Sequence, residues 1–366
     1  MRRAGLALAL LALPGAAESQ RGARSEAFGT RPDGRAIQRH ILVNRNGMTV
    51  ELMDHGAAIV RVALPDGRGA LVDVVPAPGD LAGLLASNRR FGAIVGRYAG
   101  RLRGEVTIDG KRYPLATNAS GVTLHGGDPG FDRAVWTARA FTTREVTGVV
   151  FTHVSPDGDQ GFPGRLTVEA RYALARDSDT LTLDITATSD RPTVANLTNH
   201  VYFNLAGQGS VACHVLRVDA DRGVELDSRK LPTGRLLPVR GTASDFARDR
   251  PLAPVVKAGG IDAMLVLSGK RTTRLTDPGS GRTLAVTTNQ PGLQVFTGNA
   301  FDGTDRDHVG RPIMRYAAIA LEPGHYADSP AIPAFPSTRI VPGKPLRWHA
   351  SWRFGRTTPA ATDCKP

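Results

Sequence analysis

Leu181-Thr182-Leu183-Asp184-Ile185-Thr186-Ala187-Thr188 alternates apolar and polar side chains without a break. Successive side chains of an extended chain point to opposite faces. This period of two therefore puts Leu181, Leu183, Ile185 and Ala187 on one face and the polar residues on the other. Just upstream, Leu166, Val168 and Ala170 alternate in the same way with Thr167, Glu169 and Arg171. Both stretches read as half-buried strands. Hairpin signals recur along the chain. Val106-Thr107-Ile108 runs into Asp109-Gly110 and returns through Lys111-Arg112-Tyr113, and Asp-Gly suits the left-handed backbone of a two-residue turn. Pro65-Asp66-Gly67 marks another turn.

Helical patterning is scarce. Gly79-Asp80-Leu81-Ala82-Gly83-Leu84-Leu85-Ala86 predicts one short helix with Asp80 as its cap. Many short strands punctuated by Gly, Pro and Asp predict an all-β fold, a sandwich or a barrel. The chain has 366 residues, with 41 Gly and 25 Pro, and 41% of its residues are hydrophobic. That is enough to bury a sizeable core, and no linker or fixed-period repeat divides it. One large β domain is expected over residues 39–355, preceded by a loose segment over 18–38 and followed by a tail over 356–366.

The first seventeen residues stand apart. Arg2 and Arg3 precede the apolar run Ala4–Leu13, and Pro14-Gly15-Ala16-Ala17 supplies small residues. This is the layout of a secretory signal peptide, too short to span a bilayer, with cleavage expected after Ala17. No cysteine follows the run, so a lipid anchor is not expected, nor any membrane association once the leader is removed. Export to the periplasm or the medium is the expectation. The net charge of +12 is mostly arginine spread along the chain, without the clustered stripe that nucleic-acid binding requires. The two cysteines, Cys213 and Cys364, show no zinc spacing. An oxidising compartment permits a bridge between them, but Cys364 sits in a tail that reads as frayed, and the sequence leaves the pairing open.

Five polar clusters interrupt the strand pattern: Gly96-Arg97-Tyr98-Ala99-Gly100-Arg101, Thr123-Leu124-His125-Gly126-Gly127, Asn196-Leu197-Thr198-Asn199-His200-Val201-Tyr202-Phe203-Asn204-Leu205, Gly259-Gly260-Ile261-Asp262 and Ala320-Leu321-Glu322-Pro323-Gly324. Each taken singly has an ordinary explanation: a paired arginine, a turn cap, a satisfied core histidine, a turn aspartate, a strand-end charge. Together, an imidazole and a carboxylate from distant strands can move protons both ways near neutral pH, as reversible opening of a sugar ring requires.

In this order the motifs resemble the aldose 1-epimerase (galactose mutarotase) family, from about Val50 to Phe354. Further support comes from Leu52-Met53-Asp54-His55-Gly56, Ser155-Pro156-Asp157-Gly158, Gln290-Pro291-Gly292-Leu293-Gln294 and Thr297-Gly298-Asn299. The resemblance implies a large antiparallel β-sandwich with very few short helices, an open sugar cleft, a free aldose as substrate, and no metal or organic cofactor. Carried onto this chain, it implies Glu322 as general base and His200 as general acid. His125 would lie near the ring oxygen, and Arg97 and Asp262 would hold hydroxyls. A free glutamate titrates near ~4.3 and a histidine near ~6.5, so an ionised Glu322 raising the protonated share of His200 is expected at neutral pH.

Three departures from the family pattern bear on the sugar-binding rim: Ile261 and Ala263 flank Asp262, Gly100 replaces an asparagine, and Gly324 replaces a glutamine. The competing readings are a sugar-binding module without catalysis and an epimerase of hexose 6-phosphates. The first is disfavoured because both proton-transfer residues are present. The second would need a basic phosphate pocket and a phosphorylated sugar that is scarce outside the cytoplasm. A glycosidase normally needs two facing carboxylates, and only one is placed here.

Overall fold

The computed structural model describes residues 22–360 and residue 364. The proposed leader, residues 1–17, lies outside the described residues. Antiparallel strands dominate, as the period-two patterning predicts. Leu166–Ala175 and Thr180–Ser189 are adjacent strands, and Leu181, Leu183, Ile185 and Ala187 all face inward and are buried. The Asp-Gly hairpin forms as read: Glu105–Ile108 pairs with Lys111–Pro114, with Asp109 at φ 52° and Gly110 at φ 76°. Asp80 caps the short helix Leu81–Ala86, its carboxylate accepting from the Gly83 N–H at 2.7 Å.

Three sheets carry the architecture. A nine-stranded sheet is centred on Leu166–Ala175, Thr180–Ser189, Leu346–Arg356 and Arg282–Thr288. A six-stranded sheet contains, in spatial order, Tyr202–Phe203, Ile319–Gly324, Gly292–Phe296, Asp262–Leu267, Ala220–Leu226 and Pro232–Pro238. A five-stranded meander runs from Gly22–Thr30 to Leu71–Asp73. One continuous apolar core joins all three, with Leu42 and Val50 from the meander, Leu183, Trp348 and Trp352 from the large sheet, and Leu293, Val295 and Leu321 from the six-stranded sheet. The Trp348 indole also donates to the Pro323 carbonyl at 3.0 Å, tying the large sheet to the strand that carries Glu322.

Both chain ends differ from expectation. Residues 18–38 read as loose, yet Gly22–Thr30 is a strand that pairs with Ala36–Val43. Its side chains are mostly exposed or half-buried, so it lacks the clean apolar alternation that betrays a strand; its neighbour's backbone holds it. The described residues of the tail, 356–360 and 364, are anchored rather than frayed. The Thr357 N–H donates to the Gly281 carbonyl at 2.7 Å, and Cys364 is disulfide-bonded to Cys213 with the Cα atoms 5.5 Å apart. No helix among the described residues is long and apolar enough to cross a membrane.

Candidate active site

Strand register builds the site. In the six-stranded sheet Tyr202 pairs with Ala320, Ala320 with Phe296, and Phe296 with Asp262. Two residues further along, Glu322 pairs with Gln294 and Gln294 with Met264. The antiparallel register of Tyr202 with Ala320, continued by two residues, puts His200 opposite Glu322. Because side chains alternate, residues two apart share a face. Leu321, Leu293 and Val295 therefore enter the core, while Glu322, Gln294 and Phe296 face away from it. Apart from Ala320, which packs in an apolar cluster, these two cross-strand rows and His200 line a cavity of about 410 Å³. That size suits a monosaccharide.

His200 occupies the gap between two short strands that pair with different partners. Thr198–Asn199 pairs with Ile94–Val95, and Tyr202–Phe203 pairs with the Glu322 strand. The backbone of His200 is clamped on both sides: its N–H donates to the Ala93 carbonyl at 2.8 Å, and its carbonyl accepts from the Gly92 N–H at 3.0 Å. Its ring packs against Tyr202 at 4.9 Å and meets His125 edge-on at 5.6 Å. His200 Nε2 faces Glu322 Oε1 at 3.7 Å, and the residues are 7% and 5% exposed. His125 reaches the cavity from a left-handed turn (φ 54°), its Nδ1 accepting from the Gly100 N–H at 3.3 Å. Asp262 also lines the cavity, accepting from Gln294 Nε2 at 2.6 Å and facing Lys230 Nζ at 3.6 Å.

Burial dominates the electrostatics. It pushes the Glu322 carboxyl up to about 8, with Asp262 adding to the rise and Arg90 opposing it. It pulls the His200 imidazole down to about 3, and the charge of Arg90 acts in the same direction. His125 is likewise held well below the usual imidazole range by burial, then by Arg90, His200 and Arg101. The expectation of an ionised Glu322 beside a partly protonated His200 is thus reversed in the empty site. Desolvation outweighs the mutual attraction of the pair, and the proton they hold at neutral pH sits on the carboxyl.

This arrangement can accept a proton at one point of a bound ring and return one at another. Comparisons agree with the geometry. Residues 38–353 match the family model described as aldose 1-epimerase. Galactose mutarotase from Bos taurus is 36% identical over 335 residues, covering 89% of this chain and 96% of that protein. The chain belongs to the aldose 1-epimerase family. Aldose 1-epimerase from Escherichia coli K12 is 32% identical, over 83% of this chain and 91% of the relative. The galactose 1-epimerase structure from Lactobacillus acidophilus NCFM superposes with a TM-score of 0.82 at 27% identity, over 91% of this chain and 98% of that one. The enzyme is therefore an aldose 1-epimerase, an isomerase acting on carbohydrate.

The structure of this epimerase brings together four of the five residues singled out from the sequence: His200, Glu322, His125 and Asp262. Arg97 is the exception and is corrected here. It is 2% exposed and does not line the cavity. Its guanidinium is spent on the loop 155–164, donating to the carbonyls of Ser155, Pro156, Pro163 and Gly164 and to Ser155 Oγ. A fork whose three nitrogens are all committed to this loop, Nε to Ser155 Oγ and the rest mainly to carbonyls, is a rivet, not a substrate hand. Arg101, four residues on, lines the cavity instead.

Arg90, Gln294, Tyr202 and Phe296 also line the cavity and carried no role in the sequence reading. The strand rows would have found Gln294, Tyr202 and Phe296, had the register been known. Nothing in Asn88-Arg89-Arg90 points to a cavity. Of the three departures at the rim, Gly100 and Gly324 line the cavity, whereas Ile261 and Ala263 do not reach it. Among the described residues no group of three or more His, Cys, Asp or Glu side chains is arranged to hold a metal ion.

Proposed function

We propose that Glu322 and His200 are the base and the acid of the anomer interconversion, acting on galactose- or glucose-type aldoses. The observation that carries this reading is the carboxyl and imidazole facing each other at 3.7 Å in the cavity lining. A bound pyranose donates its O1–H toward Glu322 and offers its ring oxygen to His200. Those contacts favour the carboxylate and the imidazolium, and the shared proton passes to His200. Glu322 then takes the O1 proton, the C1–O1 bond becomes a carbonyl, the C1–O5 bond breaks, and O5 receives the proton from His200. The products are the open-chain aldehyde, a neutral imidazole and a protonated carboxyl. This is the proton arrangement already favoured in the empty site, so the open-chain intermediate meets an uncharged pair. After rotation about C1–C2, the same steps run backwards on the other face of the aldehyde. Arg101 and Asp262, which line the same cavity, are assigned to the sugar hydroxyls in place of Arg97.

Polarimetry on freshly dissolved α-D-galactose and α-D-glucose tests the assignment. Acceleration by the parent enzyme and its loss in Glu322→Gln is the expected result; equal activity in the variant overturns the base.

The protein is further proposed to work outside the cytoplasm. Support comes from the signal-peptide layout of residues 1–17 and from the Cys213–Cys364 disulfide, a bond that persists in oxidising compartments. N-terminal sequencing of the protein from fractionated cells should find Glu18 first, outside the cytoplasm. An intact Met1 in the cytoplasmic fraction overturns the proposal.

A further inference from the structure

We infer that Arg90 forms an anion-recognising subsite beside the catalytic pair, and that the preferred substrates are aldopyranoses carrying a carboxylate on C5, the hexuronic acids. The inference rests on the assignment of His200 to the ring oxygen.

Arg90 lies on the turn between the helix Leu81–Ala86 and the strand Ile94–Val95, with its backbone in the left-handed region at φ 55°. The turn is joined directly to His200. The Ala93 N–H donates to the Arg90 carbonyl at 3.0 Å, and Ala93 and Gly92 are the residues that clamp the His200 backbone. The Arg90 side chain lines the cavity and is 21% exposed. Its Nη1 donates to the Asn88 carbonyl at 3.1 Å and its Nε is buried on the Asp132 side, which leaves Nη2 as the donor without a hydrogen bond among the described residues. The nearest carboxylate, Asp132, stands 3.7 Å from that Nε and is shared with Arg133 at 3.6 Å. Arg90 thus brings a guanidinium with donor capacity to spare into a largely desolvated cavity, an arrangement that is costly unless an acceptor arrives.

The rest of the cavity has the same bias. Four cationic side chains line it: Arg89, Arg90, Arg101 and Lys230. Arg89 is answered by Asp302 at 3.0 Å and Asp305 at 3.8 Å, and Lys230 faces Asp262. Arg101 makes no side-chain hydrogen bond or ion pair among the described residues. That leaves Arg101, and Arg90 with only its share of Asp132, as the cations not fully answered, and the remaining lining carboxyl, Glu322, holds a proton in the neutral range. A neutral sugar needs no such cationic surplus.

The position of the surplus names the substituent. In a pyranose the ring oxygen is bonded to C5, so the exocyclic group on C5 lies two bonds from O5. The side chain that serves O5 therefore has the C5 substituent as its neighbour. That neighbour is Arg90 on the His200 side of the cavity. One guanidinium fork matches the two oxygens of one carboxylate. A dianionic phosphate presents more charge and a third oxygen, which this single unsaturated fork does not answer.

The test compares α-D-galacturonate, α-D-galactose and α-D-galactose 6-phosphate by polarimetry and NMR exchange, with the parent enzyme, Arg90→Met and Arg90→Lys. The expected kcat/KM of the parent for galacturonate exceeds that for galactose by tenfold or more and falls as salt is added. Arg90→Met should cut the ratio of the two at least tenfold, chiefly through KM for galacturonate, and Arg90→Lys should recover part of it. Equal kcat/KM for the two sugars in the parent overturns the inference, as does a higher value for the 6-phosphate. A parallel fall for both sugars in Arg90→Met also overturns it, because that is the signature of a role confined to tuning the catalytic pair. A parent inert on all three sugars fails the acid–base reading as well, and inertness toward galacturonate as well as galactose separates that failure from the others, which all leave at least one sugar turned over.

Discussion

The nine-stranded and six-stranded sheets share a core but do opposite work with their second faces. In the large sheet the outward positions of Thr180–Ser189 are threonines and Asp184, none of them buried, and the one close polar pair, Asp184 with His349 at 2.7 Å, lies on the half-exposed surface rather than in a cavity. In the six-stranded sheet the strand Ile319–Gly324 is buried along its whole length, because one face enters the core and the other, apart from Ala320, lines the cavity. Where an ordinary buried face would carry valine or leucine, this one carries Glu322, Gln294 and, in line with them, His200. Regular alternation builds stability. Polar residues on a face that is also buried build reactivity, because desolvation moves their proton affinities by several units.

The contrast breaks most visibly at Glu322. Glu322→Gln and His200→Asn should each lower kcat/KM by roughly 10²–10⁴-fold, measured by polarimetry on galactose. Stability should move the other way for Glu322→Gln. A carboxyl raised from 4.5 to about 8 binds its proton more tightly in the folded state, so folding loses free energy as pH climbs through that window. Above pH ~8 the parent carries a penalty of up to a few kcal/mol that the amide does not, and thermal unfolding at pH 9 should show the variant more stable. A less stable variant there would mean that the carboxylate is well solvated or paired.

Next in size is the mirror experiment in the large sheet. Leu183→Ala removes a fully buried side chain and should cost about 2–5 kcal/mol in denaturant unfolding. The kcat of the fraction that remains folded should stay close to that of the parent. A selective loss of kcat would show that the two sheets are not separable in function.

The smallest effect sharpens the pair itself. The proposed mechanism needs one proton shared between Glu322 and His200, and that proton is lost as pH rises through about 8. The free-enzyme kcat/KM should therefore fall about tenfold for each pH unit well above that value, with an acid limb displaced far below the usual histidine range toward about 3. An acid limb near pH ~6.5 would place the titration of a solvated histidine in control instead.

The particular residues show how far the chain could be read directly. The strands Leu166–Ala175 and Thr180–Ser189, the Asp-Gly hairpin and the Asp80 cap were legible, because period, turn chemistry and capping are local properties. Gly22–Thr30 was not, since its pairing partner rather than its own pattern makes it a strand. Within Gly96–Arg101 the reading chose the wrong arginine. Two arginines four apart look alike in sequence, and only the loop folded over Arg97 separates the rivet from the residue at the cavity. Arg90 left no trace, because its importance comes from the His200 backbone against which its turn is bonded.

Composition and alternation by themselves determined an all-β domain with a large core, and the ordered motifs determined its family and singled out the His200 and Glu322 here proposed to transfer the protons. Tertiary structure alone decided the rest. Cross-strand register set His200 opposite Glu322, burial reversed the protonation expected of that pair, and the return of the tail closed the Cys213–Cys364 bridge. The physical reason is common to all three. Register, desolvation and the meeting of distant cysteines depend on which segments lie side by side, and that is settled by the packing of the whole chain rather than by any stretch of it.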